Sequence, residues 1–182
     1  MRPRNGKRSI WPGTTVRALA LAAMAALAAG SARAAEVVCL GASGTQGYGL
    51  ASNEAYPAQL EAMLRAKGIN VAVANAGVSG DTTAGMLARF DGAVDGSTRV
   101  LVLQVGTNDA RDRYKPEEIK ANVDAIRASA AARHIKVIDA QRFIRALPDS
   151  ARLGDKFHHP NAEGDRMVAA ALLPLVIAAL RK

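Results

Sequence analysis

An α/β fold, a three-layer α/β/α sandwich around a central, mostly parallel sheet of four to five strands, is predicted by three observations. Strand-like runs at about 36–41, 69–74, 99–105 and 135–139 alternate with helical stretches, the βαβα order that builds parallel sheets. The runs Val37-Val38-Cys39-Leu40 and Val100-Leu101-Val102-Leu103 are apolar throughout, as strands covered on both faces are. Polar residues come directly after the first and third runs, at the carboxyl ends where open α/β sheets place their sites.

The chain before the first strand reads as a separate segment. Arg2, Arg4, Lys7, Arg8 and Arg17 precede an apolar stretch from Ala18 to Ala29, and Ala32-Arg33-Ala34 supplies small residues at cleavage positions. This is the pattern of a secretory signal peptide spanning 1–34, cleaved after Ala34 or Ala35. The apolar stretch is shorter than the roughly 20 residues a membrane span needs, so no stable membrane insertion is expected after cleavage. The expected product is a periplasmic or secreted single domain at 35–182. Six unopposed cations lie in the leader, and removing them takes the net charge from +8 to about +2, which gives no reason to invoke a nucleic-acid partner.

Within the domain, a first helix is expected over about 54–67 with Gly68 as its stop, and a second over about 82–93. A third starts at Pro116 as a first-turn proline, and the last runs from near Asn161 through Leu180, with Pro174 expected to kink it. Residues 140–157 carry few strand signals and read either as a short helix plus loop or as a mobile flap. Cys39 is the single cysteine, so no intramolecular disulfide is possible, and its place between Val38 and Leu40 suggests a buried strand thiol. No cysteine–histidine cluster offers zinc ligands, and no glycine-rich phosphate motif with a lysine is present.

The chemistry centres on Ser43, in Gly41-Ala42-Ser43-Gly44, directly after the first strand. A serine is a weak nucleophile until a base takes its proton and another group steadies that base. Of three histidines, His158 and His159 stand three and four residues after Asp155, within one turn of a carboxylate. His134 comes after an alanine-rich helical run and reads as a surface turn. Gly80 precedes Asp81-Thr82-Thr83, good helix-capping residues, which puts its N–H near a helix start. Asn108 comes just after the third strand. Each feature alone has a bland reading: a histidine pair capping the last helix, a turn at Asn108-Asp109, an ordinary helix start at Gly80-Asp81.

Together, in this order and spacing, Gly41-Ala42-Ser43, Ala76-Gly77-Val78-Ser79-Gly80-Asp81-Thr82, Gly106-Thr107-Asn108-Asp109 and the Asp155 segment resemble the blocks of the GDSL, or SGNH, hydrolases over roughly Glu36 to the C-terminus. The resemblance implies a flavodoxin-like sandwich and a serine esterase. It makes Ser43 the nucleophile, Asp155 with a histidine the acid–base pair, and the Ser43 N–H, the Gly80 N–H and the Asn108 side-chain amide the oxyanion hole. It implies hydrolysis of acyl esters or thioesters through an acyl-enzyme with no cofactor, nearest to the secreted arylesterase, lysophospholipase and thioesterase branch. Acetylated carbohydrate is an alternative substrate, and a non-catalytic binding protein on a decayed hydrolase scaffold an alternative class.

Two departures stand out. Ala42 occupies the position of the namesake aspartate, which alters loop support more than chemistry. The last block has an extra residue: Asp155 to His158 has the family's aspartate-x-x-histidine spacing, whereas His159-Pro160-Asn161 matches the family's histidine and the residues just after it. The acid–base spacing favours His158 as the base, with His159 as the alternative.

Overall fold

The computed structural model describes residues 35–105 and 108–181; the expected signal peptide at 1–34 and Gly106-Thr107 of the third block lie outside the described residues. Strands β1 (Val37–Gly41), β2 (Val73–Gly77), β3 (Val100–Leu103) and β4 (Lys136–Asp139) form one parallel sheet in the order β2-β1-β3-β4. The expected α/β/α sandwich is thus present with four described strands. The helices are α1 (Ser43–Gln46), α2 (Tyr56–Ala66), α3 (Thr83–Ala88), α4 (Phe90–Ala93), α5 (Asn108–Arg111), α6 (Pro116–Ala132), α7 (Gln141–Arg145) and α8 (Ala162–Leu180), with a 3-10 turn at Asp149–Ala151.

Strand residues alternate between two cores. Val37, Cys39, Val100 and Val102 face α2 and α8 through Tyr56, Leu60, Leu64, Val168, Leu172 and Val176. Val38, Leu40, Leu101 and Leu103 face the other way, onto Met86, Phe90, Ile126 and Ala130 of α3, α4 and α6. Because both faces are covered, β1 is buried along its whole length, which is why its sequence does not alternate. Cys39 lies in the first core with its thiol pushed up to about 12 by burial, against a smaller opposing effect of its hydrogen bond with Tyr56.

The second strand lies later than expected. The apolar alternation of Ile69 and Val71 packs against the core as a lead-in, while the paired residues are Val73-Ala74-Asn75-Ala76-Gly77. The last of them has a steric cause for its size: a Cβ on Gly77 would stand 2.2 Å from the Gln46 backbone nitrogen, so α1 lies directly on this end of the strand. The predicted helix over 82–93 is divided at Arg89, whose side chain turns back toward the sheet. Helix α6 does begin with Pro116 in its first turn, and α8 is continuous across Pro174. Residues 140–157 form a short helix, a 3-10 turn and a loop, the first of the two expected alternatives.

Asp165 of α8 is fully buried, accepts the Tyr56 N–H at 3.0 Å through Oδ2, and leaves Oδ1 without a partner among the described residues. Burial pushes its carboxyl up to about 7, with the Tyr56 N–H opposing the rise. The folded chain therefore keeps a proton that the unfolded chain has released above its ordinary value of 3.8. Stability from this group is fully present below that value and is lost as pH rises to about 7, at no more than about 1.4 kcal/mol per pH unit. Asp165→Asn keeps an acceptor for Tyr56. Denaturant titrations are expected to show the variant gaining on the native chain between about pH 4.5 and 7.5, and a constant difference would contradict the assignment.

Candidate functional site

The order β2-β1-β3-β4 places the chain reversal between β1 and β3, so the crevice at their carboxyl ends is where an open α/β sheet binds ligands. β1 ends at Gly41, and Ser43 opens α1 one residue beyond Ala42. Gln104, directly after β3, locks this turn: its Oε1 accepts the Ala42 N–H at 2.9 Å and the Thr45 hydroxyl at 3.2 Å. Its amide nitrogen donates to Gln141 Oε1 at 2.8 Å, and Gln141 is in turn held through its N–H on Asp139. A Cβ on Gly41 would lie 2.1 Å from Thr45 Oγ1 and 2.8 Å from Gln104 Oε1, so glycine is required for this packing. The loop that lacks the namesake aspartate is therefore supported from β3.

The second block forms the loop between β2 and α3. Gly80 has φ +83°, in the left-handed region that favours glycine, and a Cβ there would meet nothing within 4 Å, so the requirement is conformational. Asp81 anchors the loop by accepting Arg89 Nε at 2.8 Å, and Arg89 Nη2 donates to the Gly41 carbonyl at 3.1 Å. One arginine thus ties the Gly80 loop to the end of β1.

Asn108 is almost fully buried and donates through Nδ2 to the Asp81 carbonyl at 2.7 Å, which fixes the amide beside the Gly80 loop and leaves its second N–H for the cleft. Asp109, fully buried, accepts the Thr83 N–H and hydroxyl at the start of α3, and Asn122 of α6 donates to that same hydroxyl at 3.2 Å. The two residues lock the β3 loop to the β2 loop.

The fourth part differs from the expected register. His159, not His158, reaches the serine: its Nε2 lies 2.8 Å from Ser43 Oγ and its Nδ1 bonds Asp155 Oδ2. The cause is the backbone. His158 has φ +54° and donates its N–H to the Asp155 carbonyl at 3.1 Å, closing a tight turn. This turn carries His159 back over Asp155, whose Oδ1 also accepts the His159 N–H at 3.0 Å. The extra residue is absorbed within the Asp155–His159 turn, and His158 is exposed. Burial raises the Asp155 carboxyl, but the bonds and charge of His159 outweigh it and hold it below its ordinary value. Tyr48 stacks on the His159 ring at 4.5 Å between centroids, and Phe157 meets it edge-on at 5.8 Å.

Arg152 supports this turn. Its Nη2 donates to the carbonyls of Ile144, Arg145 and Leu147 at 2.9–3.1 Å, and its Nη1 to that of His158 at 2.9 Å. Asn161, which caps α8 by accepting the Gly164 N–H, also donates to the Ser150 carbonyl. Sequence reasoning misses Gln104, Arg89 and Arg152 and the bonding role of Asp109, whereas Tyr48 lies in a loop whose side chains the sequence already assigns to the pocket. Gln104 alone carries a local signal, a polar residue closing an apolar strand.

Ser43, Gly80, Asn108 and His159 line one cleft of about 480 Å³, a size suited to a small organic ligand. Among the described residues no group of three or more histidine, cysteine or acidic side chains could hold a metal ion, and no helix is long and apolar enough to cross a membrane.

A serine, an imidazole and a carboxylate in line at the carboxyl rim of a parallel sheet form the arrangement that serine hydrolases use. The profile of the GDSL-like Lipase/Acylhydrolase family matches residues 39–141, and the chain belongs to that family. It is 34% identical over 109 residues to Arylesterase of Vibrio mimicus, spanning 59% of this chain and 54% of that protein. It is 30% identical over 126 residues to Esterase TesA of Pseudomonas aeruginosa, spanning 68% of this chain and 63% of that protein. The match therefore spans between half and two thirds of these curated relatives. A solved structure described as the crystal structure of TesA, at 20% identity, shares the fold with a TM-score of 0.71 over 79% of this chain and 98% of that one. The family match includes Ser43, Gly80 and Asn108 and stops before Asp155 and His159, whose pairing with the serine rests on the geometry.

Proposed function

We propose that this protein hydrolyses carboxylic acyl esters, or thioesters, through an acyl-enzyme on Ser43. The observation that carries the reading is the continuous Asp155–His159–Ser43 hydrogen-bonded chain, with Gly80 and Asn108 on the same cleft. His159 Nε2 takes the Ser43 proton as Oγ attacks the acyl carbonyl, then returns it to the leaving group. Water, deprotonated by the same nitrogen, releases the acid. Asp155 on Nδ1 fixes the tautomer that leaves Nε2 free to accept, and stabilises the imidazolium that forms. The Ser43 and Gly80 N–H groups and the second Asn108 amide hydrogen receive the oxyanion.

The names of the two relatives support ester chemistry. The departures that favour a decayed scaffold have local structural accounts: Gln104 holds the Ala42 turn, and the Asp155–His159 turn absorbs the extra residue. The leader supports export to the periplasm or beyond, with a small-molecule ester or thioester as the partner. The test is labelling of the domain with a fluorophosphonate, read by mass spectrometry, together with turnover of p-nitrophenyl acetate. One adduct on Ser43 with measurable turnover is expected; an unlabelled serine and no turnover would favour a binding role.

A further inference from the structure

We propose that the cleft selects esters that carry a second, ionised acid group, and that Arg145 and Arg111 hold that group. This rests on the esterase reading and names its substrate class.

The domain after the leader is near charge balance, yet the cleft is lined by Arg111, Arg145 and Arg152 and, among the described residues, by no carboxylate. The nearest acid of the machinery, Asp155, is bound by the N–H and Nδ1 of His159. Arg152 lines the cleft, gives its hydrogen bonds to four neutral carbonyls and has no carboxylate partner among the described residues. Arg145 adjoins Ile144, whose side chain packs against Gly44 beside the nucleophile, and its guanidinium has no partner among the described residues. Arg111 closes α5, the helix that Asn108 opens, and pairs through Nε with exposed Asp112 at 3.1 Å. Two arginines thus line the cleft that holds Ser43 from α5 and α7, the helices after β3 and β4, and carry guanidinium forks shaped for a planar or tetrahedral oxyanion. Walls of one sign also concentrate oppositely charged ligands in a cleft.

The experiment compares kcat/KM for matched esters in two arms. In the first, p-nitrophenyl hemiglutarate is set against p-nitrophenyl valerate, which places the charge on the acyl half. In the second, 4-carboxyphenyl butyrate is set against 4-carbamoylphenyl butyrate, which places it on the leaving group. After correction for uncatalysed rates, a preference of about tenfold for the anionic member of one arm is expected at low ionic strength, decreasing with added salt. That ratio is expected to fall several-fold in Arg145→Gln and further in the Arg111→Gln, Arg145→Gln double variant. The arm that responds identifies which half of the substrate the arginines hold. Turnover of the neutral esters with no anionic preference in either arm overturns this inference and leaves the esterase reading standing. A preference that survives the double variant also overturns it, and no turnover of any of the four overturns both.

Discussion

His159→Ala is expected to lower kcat/KM for p-nitrophenyl butyrate by at least about 10³-fold, whereas His158→Asn changes it by less than about tenfold. The difference stems from one turn. His159 makes both bonds of the relay, to Ser43 Oγ and to Asp155, while His158 contributes backbone bonds, to the Asp155 carbonyl and from Arg152, and a left-handed φ. Asparagine is chosen at 158 because it tolerates that conformation, so the backbone that aims His159 is kept. Ser43→Ala should match the His159 loss, and the double variant should be no worse than either, since the two groups act as one unit. Equal losses at 158 and 159 would contradict this geometry of the turn.

Asn108→Ala is expected to lower kcat by about 10²–10³-fold with little change in KM, because in the proposed oxyanion hole its amide would meet the oxygen only once that oxygen carries charge. That corresponds to about 2.7–4 kcal/mol of transition-state stabilisation. The same amide bonds the Asp81 carbonyl, so a modest fall in Tm accompanies the loss. Thermal unfolding measured beside kinetics separates the two effects. A change confined to KM would remove Asn108 from the oxyanion hole.

These groups differ in how far the sequence discloses them. Ser43, Gly80 and Asn108 lie just past strand ends or just before helix starts, so hydrophobic runs and capping residues locate them with no knowledge of tertiary contacts. The parallel sheet is equally legible, because β1 and β3 are unbroken apolar runs. The histidine register is not. Spacing from Asp155 favours His158, and only the positive φ of that residue reveals why its neighbour faces the serine. The second strand is displaced from its apolar signal because Ile69 and Val71 are a lead-in, while the paired strand ends in Gly77, which lets α1 lie close. Gln104, Arg89 and Asp109 work through partners 62, 48 and 26 residues away, beyond any local pattern.

The tight turn at Asp155–His159 has a consequence for tolerance. Asp155 and His159 are four residues apart and joined by two hydrogen bonds, whereas Ser43 is 116 residues from His159. What long-range folding must set is therefore the placement of one locally bonded turn against Ser43. Arg152 and the capped start of α8 bracket that unit on both sides, so two local anchors keep in alignment a pair of chain segments that otherwise share no covalent path shorter than most of the domain.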